Sequence, residues 1–525
     1  MLRLTDIKLP LDHGASALKA AILKKLKLPA DALLDFQVFK RAHDARNKQA
    51  ITYIYTVDVT LKDETRAPRD LRPTPDMDYK FAAHAPAAFP NDHLNRPLVI
   101  GAGPCGLFAA LILAQSGFRP IILERGKAVR ERTKDTWGLW RRSVLNPESN
   151  VQFGEGGAGT FSDGKLYSQI KDPRYLSRKV LTEFVKAGAP EEILTEAHPH
   201  IGTFRLVTMV EAMRETIEAL GGEYRFNSKV ADLLLTPDHD VRGVKLESGE
   251  EIESDHVVLA LGHSARDSFE MLHERGVAIE AKPFSIGFRI EHPQGLIDKA
   301  RFGRSIPELG AADYKLVHHA KNGRDVYSFC MCPGGFIVAA ATEPDAVVVN
   351  GMSPSARGSR FANSGLVVGV GPTDYGDGVL DGLDYQAAIE KAAFRAGGGH
   401  FRAPAQRVTD FLARRVSVDF PDCSYRPGLA PADLYSVLPP RISGPLADAL
   451  RFFGERRMRG YVTSEAVLVG VESRSSAPLR IERDSETLQS PTHPGLYPAA
   501  EGAGYAGGIV SAALDGLRIA ERLVL

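Results

Sequence analysis

An α/β fold, with one parallel sheet split along the chain, is predicted by three features of the 525-residue sequence. An apolar run, Pro97–Gly103, leads through a glycine-rich turn into an apolar helix, Leu107–Ser116, and on to a second buried strand, Arg119–Glu124. That is the rhythm of a parallel βαβ unit. The same rhythm returns in the apolar strand His256–Gly262 and again from His493 to a long closing helix, Gly508–Leu523. Between these stretches, about 283–444, it is absent. A Rossmann-like unit in two parts, 96–282 and 445–525, around an inserted α+β unit, 283–444, is the simplest arrangement.

The remaining elements follow in order. Residues 1–61 read as strand, helix, strand, strand, a small α/β appendage. Its helix, Ser16–Leu26, carries Leu18, Ile22 and Leu26 at spacing four, one apolar stripe. Its closing strand, Ala50–Val59, is rich in β-branched and aromatic residues. The stretch 62–95, with Pro68, Pro73, Pro75, Pro86 and Pro90, reads as a linker. Within the first part of the larger unit, Arg205–Leu220 is expected as a helix and Glu223–Phe226 as a short strand. Three antiparallel strands follow near Val230–Leu235, Gly243–Leu246 and Glu250–Glu253.

Composition narrows the class. Apolar residues make up 44% and charged residues 25%, the balance of a globular protein. Sixty-five basic residues match 65 acidic ones, so total charge calls for neither nucleic acid nor an anionic membrane. No apolar run is long enough to span a bilayer, and the N-terminus lacks a secretion signal. The four cysteines, Cys105, Cys330, Cys332 and Cys423, are too few for a disulfide framework, which points to a reducing, cytoplasmic setting.

The turn Gly101-Ala102-Gly103-Pro104-Cys105-Gly106 is a G-x-G-x-x-G between strand and helix, with acidic Glu124 about 20 residues on. Each position has a physical task. Gly101 permits the tight turn, Gly103 lets a pyrophosphate approach the backbone, and Gly106 lets helix and strand pack closely. The helix N-terminus offers free N–H groups to phosphate, and Glu124 would accept from ribose hydroxyls. A second glycine-rich run, Asn150–Lys165, includes Gly156, Gly157, Ala158, Gly159 and Thr160. It is expected to lie along the same ligand.

Several segments resemble the glutathione reductase superfamily of FAD proteins: Glu124-Arg125-Gly126, the strand Val257–Gly262, and Gly495–Gly502. Over the whole chain the sequence is similar to the bacterial FAD-dependent, or NAD(FAD)-utilising, dehydrogenases. Its most specific pieces are Phe153–Leu166, Phe329–Gly335 and Glu501–Ile509. The resemblance implies FAD, held by Arg125, Val230, Ala260, Gly262, Glu501, Gly502, Gly507, Gly508 and Ile509 beside the turn residues. In the superfamily an aspartate normally stands where Glu501 does. The resemblance implies an oxidoreductase and no particular substrate.

Candidate chemistry is thinner. Cys330 and Cys332, on one face of a strand, are open to three readings: metal ligands with His318 and His319, a redox pair, or small packed residues. His263, just past a strand, is a candidate proton donor or a strand-end residue. Arg474, Arg480 and Arg357 are candidates for gripping a substrate carboxylate or phosphate. A second dinucleotide fingerprint is absent, since Gly369-Val370-Gly371-Pro372 lacks the third glycine. Any NAD(P)H is therefore expected to dock directly at the flavin, or the electrons come from elsewhere. A flavoprotein of RNA modification and a non-catalytic FAD sensor are the alternatives.

Overall fold

The apolar runs flanking the glycine turn become central strands of a five-stranded parallel sheet. A computed structural model describes residues 1–68, 71–81, 96–168 and 170–524. The sheet runs Leu496–Pro498, Val257–Leu259, Leu98–Ile100, Ile121–Leu123, Glu223–Arg225 in spatial order. The closing strand thus pairs with Val257–Leu259 across more than 200 residues of intervening chain, Val257 opposite Leu496. Helix Pro104–Gln115 begins directly after the turn, with Pro104 at its first position, where a missing N–H costs nothing. It is buried along most of its length and packs against the closing helix, Ile509–Leu523. Helix Thr203–Ala219 covers the same face of the sheet. The antiparallel excursion forms its own three-stranded sheet, Val230–Leu235, Val241–Leu246 and Glu251–Glu253.

A seven-stranded sheet occupies the middle of the chain. Its order is Val317–His319, Asp325–Cys332, Phe361–Val370, Phe284–Pro293, Val467–Glu472, Ala403–Arg407, Leu429–Pro431. Every pair is antiparallel except the last. Strand Val467–Glu472 lies beside Phe284–Pro293, so the chain leaves this sheet only after 472, not at the expected 444. An apolar strand followed by polar residues has the same pattern in either unit, so only its pairing partner tells them apart. Helices Asp381–Ala396 and Pro440–Phe452 cover this sheet and share its core.

The appendage is a four-stranded sheet, ordered Leu33–Asp44, Thr52–Leu61, Leu2–Pro10, Arg72–Pro73, with helix Ala17–Leu26 on one face. Leu18, Ile22 and Leu26 are buried against it, as the spacing predicts. Its outer strand is joined to the larger unit by main-chain bonds, from Arg41 N–H to the Thr195 carbonyl (2.7 Å) and from Ala197 N–H to the Arg41 carbonyl (2.8 Å). Of the expected linker, residues 69–70 and 82–95 lie outside the described residues. Among the described residues, no helix is long and apolar enough to cross a membrane.

Candidate functional site

The glycine turn is shaped by its own backbone. Gly101 sits at φ +101°, where only glycine is relaxed, and a Cβ there would fall 2.5 Å from the Ala260 carbonyl oxygen. A Cβ on Gly106 would come within 1.9 Å of the Gly101 carbonyl oxygen. That closeness seats the helix on its strand. Glu124 is buried at the end of the next strand. Its carboxylate accepts from the N–H groups of Ala102 (2.9 Å), Gly126 (2.9 Å) and Gly154 (3.0 Å), which ties the turn to the second glycine run.

That second run is held from behind by Arg132, a fully buried side chain on helix Val129–Arg142. Its guanidinium donates to the carbonyls of Asn150 (2.7 Å), Val151 (2.8 Å), Gly154 (3.2 Å) and Glu155 (2.6 Å). Burial pushes its pKa down to about 10, against the pull of Glu124 and Glu155. Glu155 in turn accepts from Val129 N–H and from Arg214. The loop is therefore built on a rigid frame.

The turn, the second run and the seven-stranded sheet enclose a cavity of about 880 Å³. Gly101, Gly103, Pro104 and Cys105 line it, with Glu124 and Arg125 beside them. Gly157, Ala158 and Gly159 form another wall, and Val230, Ala260 and Gly262 a third. Glu501, Gly507, Gly508 and Ile509 close the far side. The N-termini of two long helices, Pro104–Gln115 and Ile509–Leu523, thus open on one cavity. The other residues expected here stand behind the wall. Ala102 and Gly106 fix the turn, Gly502 N–H bonds the Leu261 carbonyl (2.9 Å), and buried Thr160 fills the space a Cβ on Gly156 would need.

The cavity fits a dinucleotide. A Cβ on Gly103 would meet no protein atom nearer than 3.7 Å, and one on Gly262 none within 4 Å. Side chains there would obstruct the cavity rather than the protein. Arg125 is braced by Glu148 and by a bidentate pair with Asp267 (2.8–2.9 Å). Glu501 is pushed up to about 8 by burial, opposed by Lys282 and reinforced by Cys330, so it carries a proton near neutrality.

The candidate catalytic groups separate. His263 lines the cavity and is held down to about 4 by burial and by Arg474, so it is neutral, with Nδ1 3.0 Å from Ser264 Oγ. Cys330 lines the cavity, and Cys332 lies buried behind it. The pair does not sit on a regular strand face: Cys330 has φ +41°, and the register slips between Phe329 and Cys332, a β-bulge. His318 instead packs on Phe452 (4.5 Å between rings), and His319 pairs with Asp325. Among the described residues, no group of three His, Cys, Asp or Glu is placed to hold a metal.

The arginine expectations need correction. Arg474 reaches the cavity, but its donors are committed to Glu390 (2.9 and 3.0 Å), Thr342 (2.7 Å) and Glu343 (2.6 Å). Arg357 lies outside, paired with buried Asp163 (2.9 Å), and Arg480 pairs with Glu280 near the surface (3.1 Å). Each carboxylate partner is remote in sequence, so nothing local signalled it. Lys165 and Lys315, which do line the cavity, escaped notice, Lys165 as the last residue of a glycine run and Lys315 in an unremarkable loop.

Two family models match the chain. Residues 283–475 match a model described as "FAD-dependent protein, C-terminal domain-like", and residues 1–60 match a domain of unknown function. Among solved structures, the chain is similar to an L-proline dehydrogenase from P. horikoshii (14% identity, 82% of this chain and 93% of that one, TM-score 0.32). It is also similar to a 3-ketosteroid-delta4-(5alpha)-dehydrogenase from Rhodococcus jostii RHA1 (12% identity, 84% and 99% coverage, TM-score 0.35). A relative from Clostridium beijerinckii, described only as an uncharacterized protein, is 43% identical over 537 residues, covering 100% of this chain and 98% of its own. With that end-to-end match and the FAD-dependent domain at its centre, the chain belongs to the clostridial protein's family, and its cofactor is FAD.

Proposed function

We propose that this protein is a single-FAD dehydrogenase or reductase that lacks a separate nicotinamide domain and takes its electrons from a donor docking at the flavin itself. The observation carrying this reading is the convergence of two helix N-termini and the unobstructed Gly103 on one cavity, with the inserted sheet as its opposite wall. Bound FAD would supply two-electron transfer. The chain's part is to position and to exclude. Gly103 and helix Pro104–Gln115 present N–H groups to the pyrophosphate, and Glu124 faces the ribose. The N-terminus of Ile509–Leu523 offers a positive dipole end to developing negative charge.

Protonated Glu501 would act as a hydrogen-bond donor rather than a second negative charge beside the phosphates. Neutral His263 adds no charge to the wall. The Gly369-Val370-Gly371 segment ends a ten-residue antiparallel strand, Phe361–Val370, and leads only into a four-residue helix. It offers no second dinucleotide turn. The purified protein is expected to be yellow with one FAD per chain, bleaching when NADH or NADPH is added anaerobically. A flavin that stays oxidised with both would exclude a nicotinamide donor, and a chain that retains no FAD would refute the reading.

A further inference from the structure

Among the described residues, five cationic side chains line the cavity, and three of them are already paired. Arg125 and Lys229 share Glu148 and Asp267, and Arg474 holds Glu390 and Glu343. Lys165 and Lys315 have no carboxylate partner among the described residues. None of the three acids in the same wall supplies one. Glu124 accepts from three main-chain N–H groups, Asp163 is paired with Arg357, and Glu501 carries a proton near neutrality.

The two lysines meet at one turn of the inserted sheet. Lys165 donates to the Met331 carbonyl, one of the three bonds an ammonium can make. Lys315 stands across the strand pair from Phe329, because Ser328 N–H bonds the Leu316 carbonyl (2.9 Å) and Leu316 N–H bonds Ser328 Oγ (2.8 Å). Asn350 completes the corner. Its Oδ1 accepts from Gly351 N–H (2.7 Å) and stands 3.5 Å from Arg289 Nη1, and Arg289 in turn donates to the Cys330 carbonyl (2.6 Å). The Asn350 oxygen is thereby engaged by the protein, while its Nδ2 has no acceptor among the described residues. Asn350 and Phe329 both line the cavity. A half-buried ammonium with a single carbonyl beside it is short of one negative charge.

We infer that the small molecule taken in beside the FAD is an organic acid, its carboxylate held between Lys165 and Asn350 and its apolar body against Phe329, with exposed Lys315 drawing it in. The anion site expected of the arginines thus belongs to two lysines and an asparagine. One half-buried ammonium and one amide match a monoanion with two oxygens. A phosphate dianion would bring about twice the charge to a wall with no second unpaired, enclosed cation. That this acid is also the flavin's redox partner rests on the dehydrogenase reading above; its binding does not.

The test uses the purified holoprotein, with the bound flavin's absorbance as reporter. The probes are benzoate, phenylacetate and butyrate, each beside its own neutral amide, and inorganic phosphate. At least one acid should shift the spectrum saturably, with its amide and phosphate binding at least about tenfold more weakly. Asn350→Asp keeps the oxygen that Gly351 bonds and replaces the donor with a negative oxygen. It should therefore fold and hold FAD, yet lose affinity for the acid by about tenfold or more. Lys165→Met should weaken the acid about as much. Lys315→Met should cost about threefold at low salt and nothing at about 1 M, where screening removes a surface charge. The proposal is overturned by no saturable binding of any acid, by an amide that binds as tightly as its acid, or by wild-type affinity in Asn350→Asp. Phosphate binding tighter than every acid overturns the carboxylate assignment. Calorimetry with the same acids reads the site without the flavin. A chain that retains no FAD would therefore sink the reading above, and the acid site would still be decided by its own titration.

Discussion

Replacing Arg132 with methionine keeps the aliphatic stem of the side chain and removes its charge. Four main-chain carbonyls of the 150–155 loop then lose a charged donor at once. At the low end of about 1.5 kcal/mol for each bond to a charged group, the gross loss is about 6 kcal/mol. Part of this is returned, because a guanidinium no longer has to be desolvated. The fall of its pKa from the ordinary arginine value to about 10 puts that relief at about 3 kcal/mol, with one pKa unit worth about 1.4 kcal/mol. A net destabilisation of about 3 kcal/mol should be local, since every bond goes to one loop. Amide hydrogen exchange reads it directly. Glu155, Gly156 and Gly157, whose N–H groups bond Lys127, Ala102 and Gly154, should exchange about 100-fold faster, the factor that about 3 kcal/mol represents. Strands of the seven-stranded sheet should be unchanged. Unaltered protection at Glu155–Gly157 would show that Arg132 does not frame this loop.

Two glycines separate the ligand's needs from the protein's. Gly103→Ala should fold and melt as wild type, because its Cβ has room, yet lose FAD affinity by about tenfold or more. Gly106→Ala should lower stability itself by about 1–3 kcal/mol, since its Cβ meets the Gly101 carbonyl oxygen; thermal melts of the FAD-free chains check both. His292 is fully buried, with Nε2 2.8 Å from the Tyr461 carbonyl, and burial holds it down to about 4. Its folded value lies below the unfolded 6.5, so the unfolded chain binds the extra proton. Stability is therefore present above about pH 6.5 and lost as pH falls toward 4, by up to about 3 kcal/mol. His292→Gln should flatten that part of the urea midpoint against pH, and an unchanged slope would refute the assignment.

What was legible in the sequence is what is local. The turn at Gly101–Gly106, its helix and Glu124 lie within 24 residues, and their spacing carries their geometry. The stripe Leu18, Ile22, Leu26 is legible for the same reason. Arg132 was not, because an arginine on an amphipathic helix normally belongs to the wet face, and nothing in its spacing reveals that a loop will fold over it. Lys165 and the cysteine pair meet across 166 residues. Their meeting depends on a bulge and a left-handed residue at Cys330, neither of which strand periodicity can express. The arginines 357, 474 and 480 looked free for the mirror-image reason, since their carboxylates are equally distant in sequence.

The main-chain bonds between Arg41 and residues 195–197 also bear on how the N-terminal sheet behaves in company. An uncovered outer strand is a template on which other chains can add. Here the strand Leu33–Asp44 is occupied at Arg41 by the protein's own backbone, while the opposite edge is the two-residue strand Arg72–Pro73, whose proline has no N–H to offer. Both margins of the sheet are thus partly covered, at Arg41 and at Leu2–Arg3, only while the chain is whole. A fragment cut at residue 61 would shed both guards, and filament or aggregate formation is the hazard to expect from it.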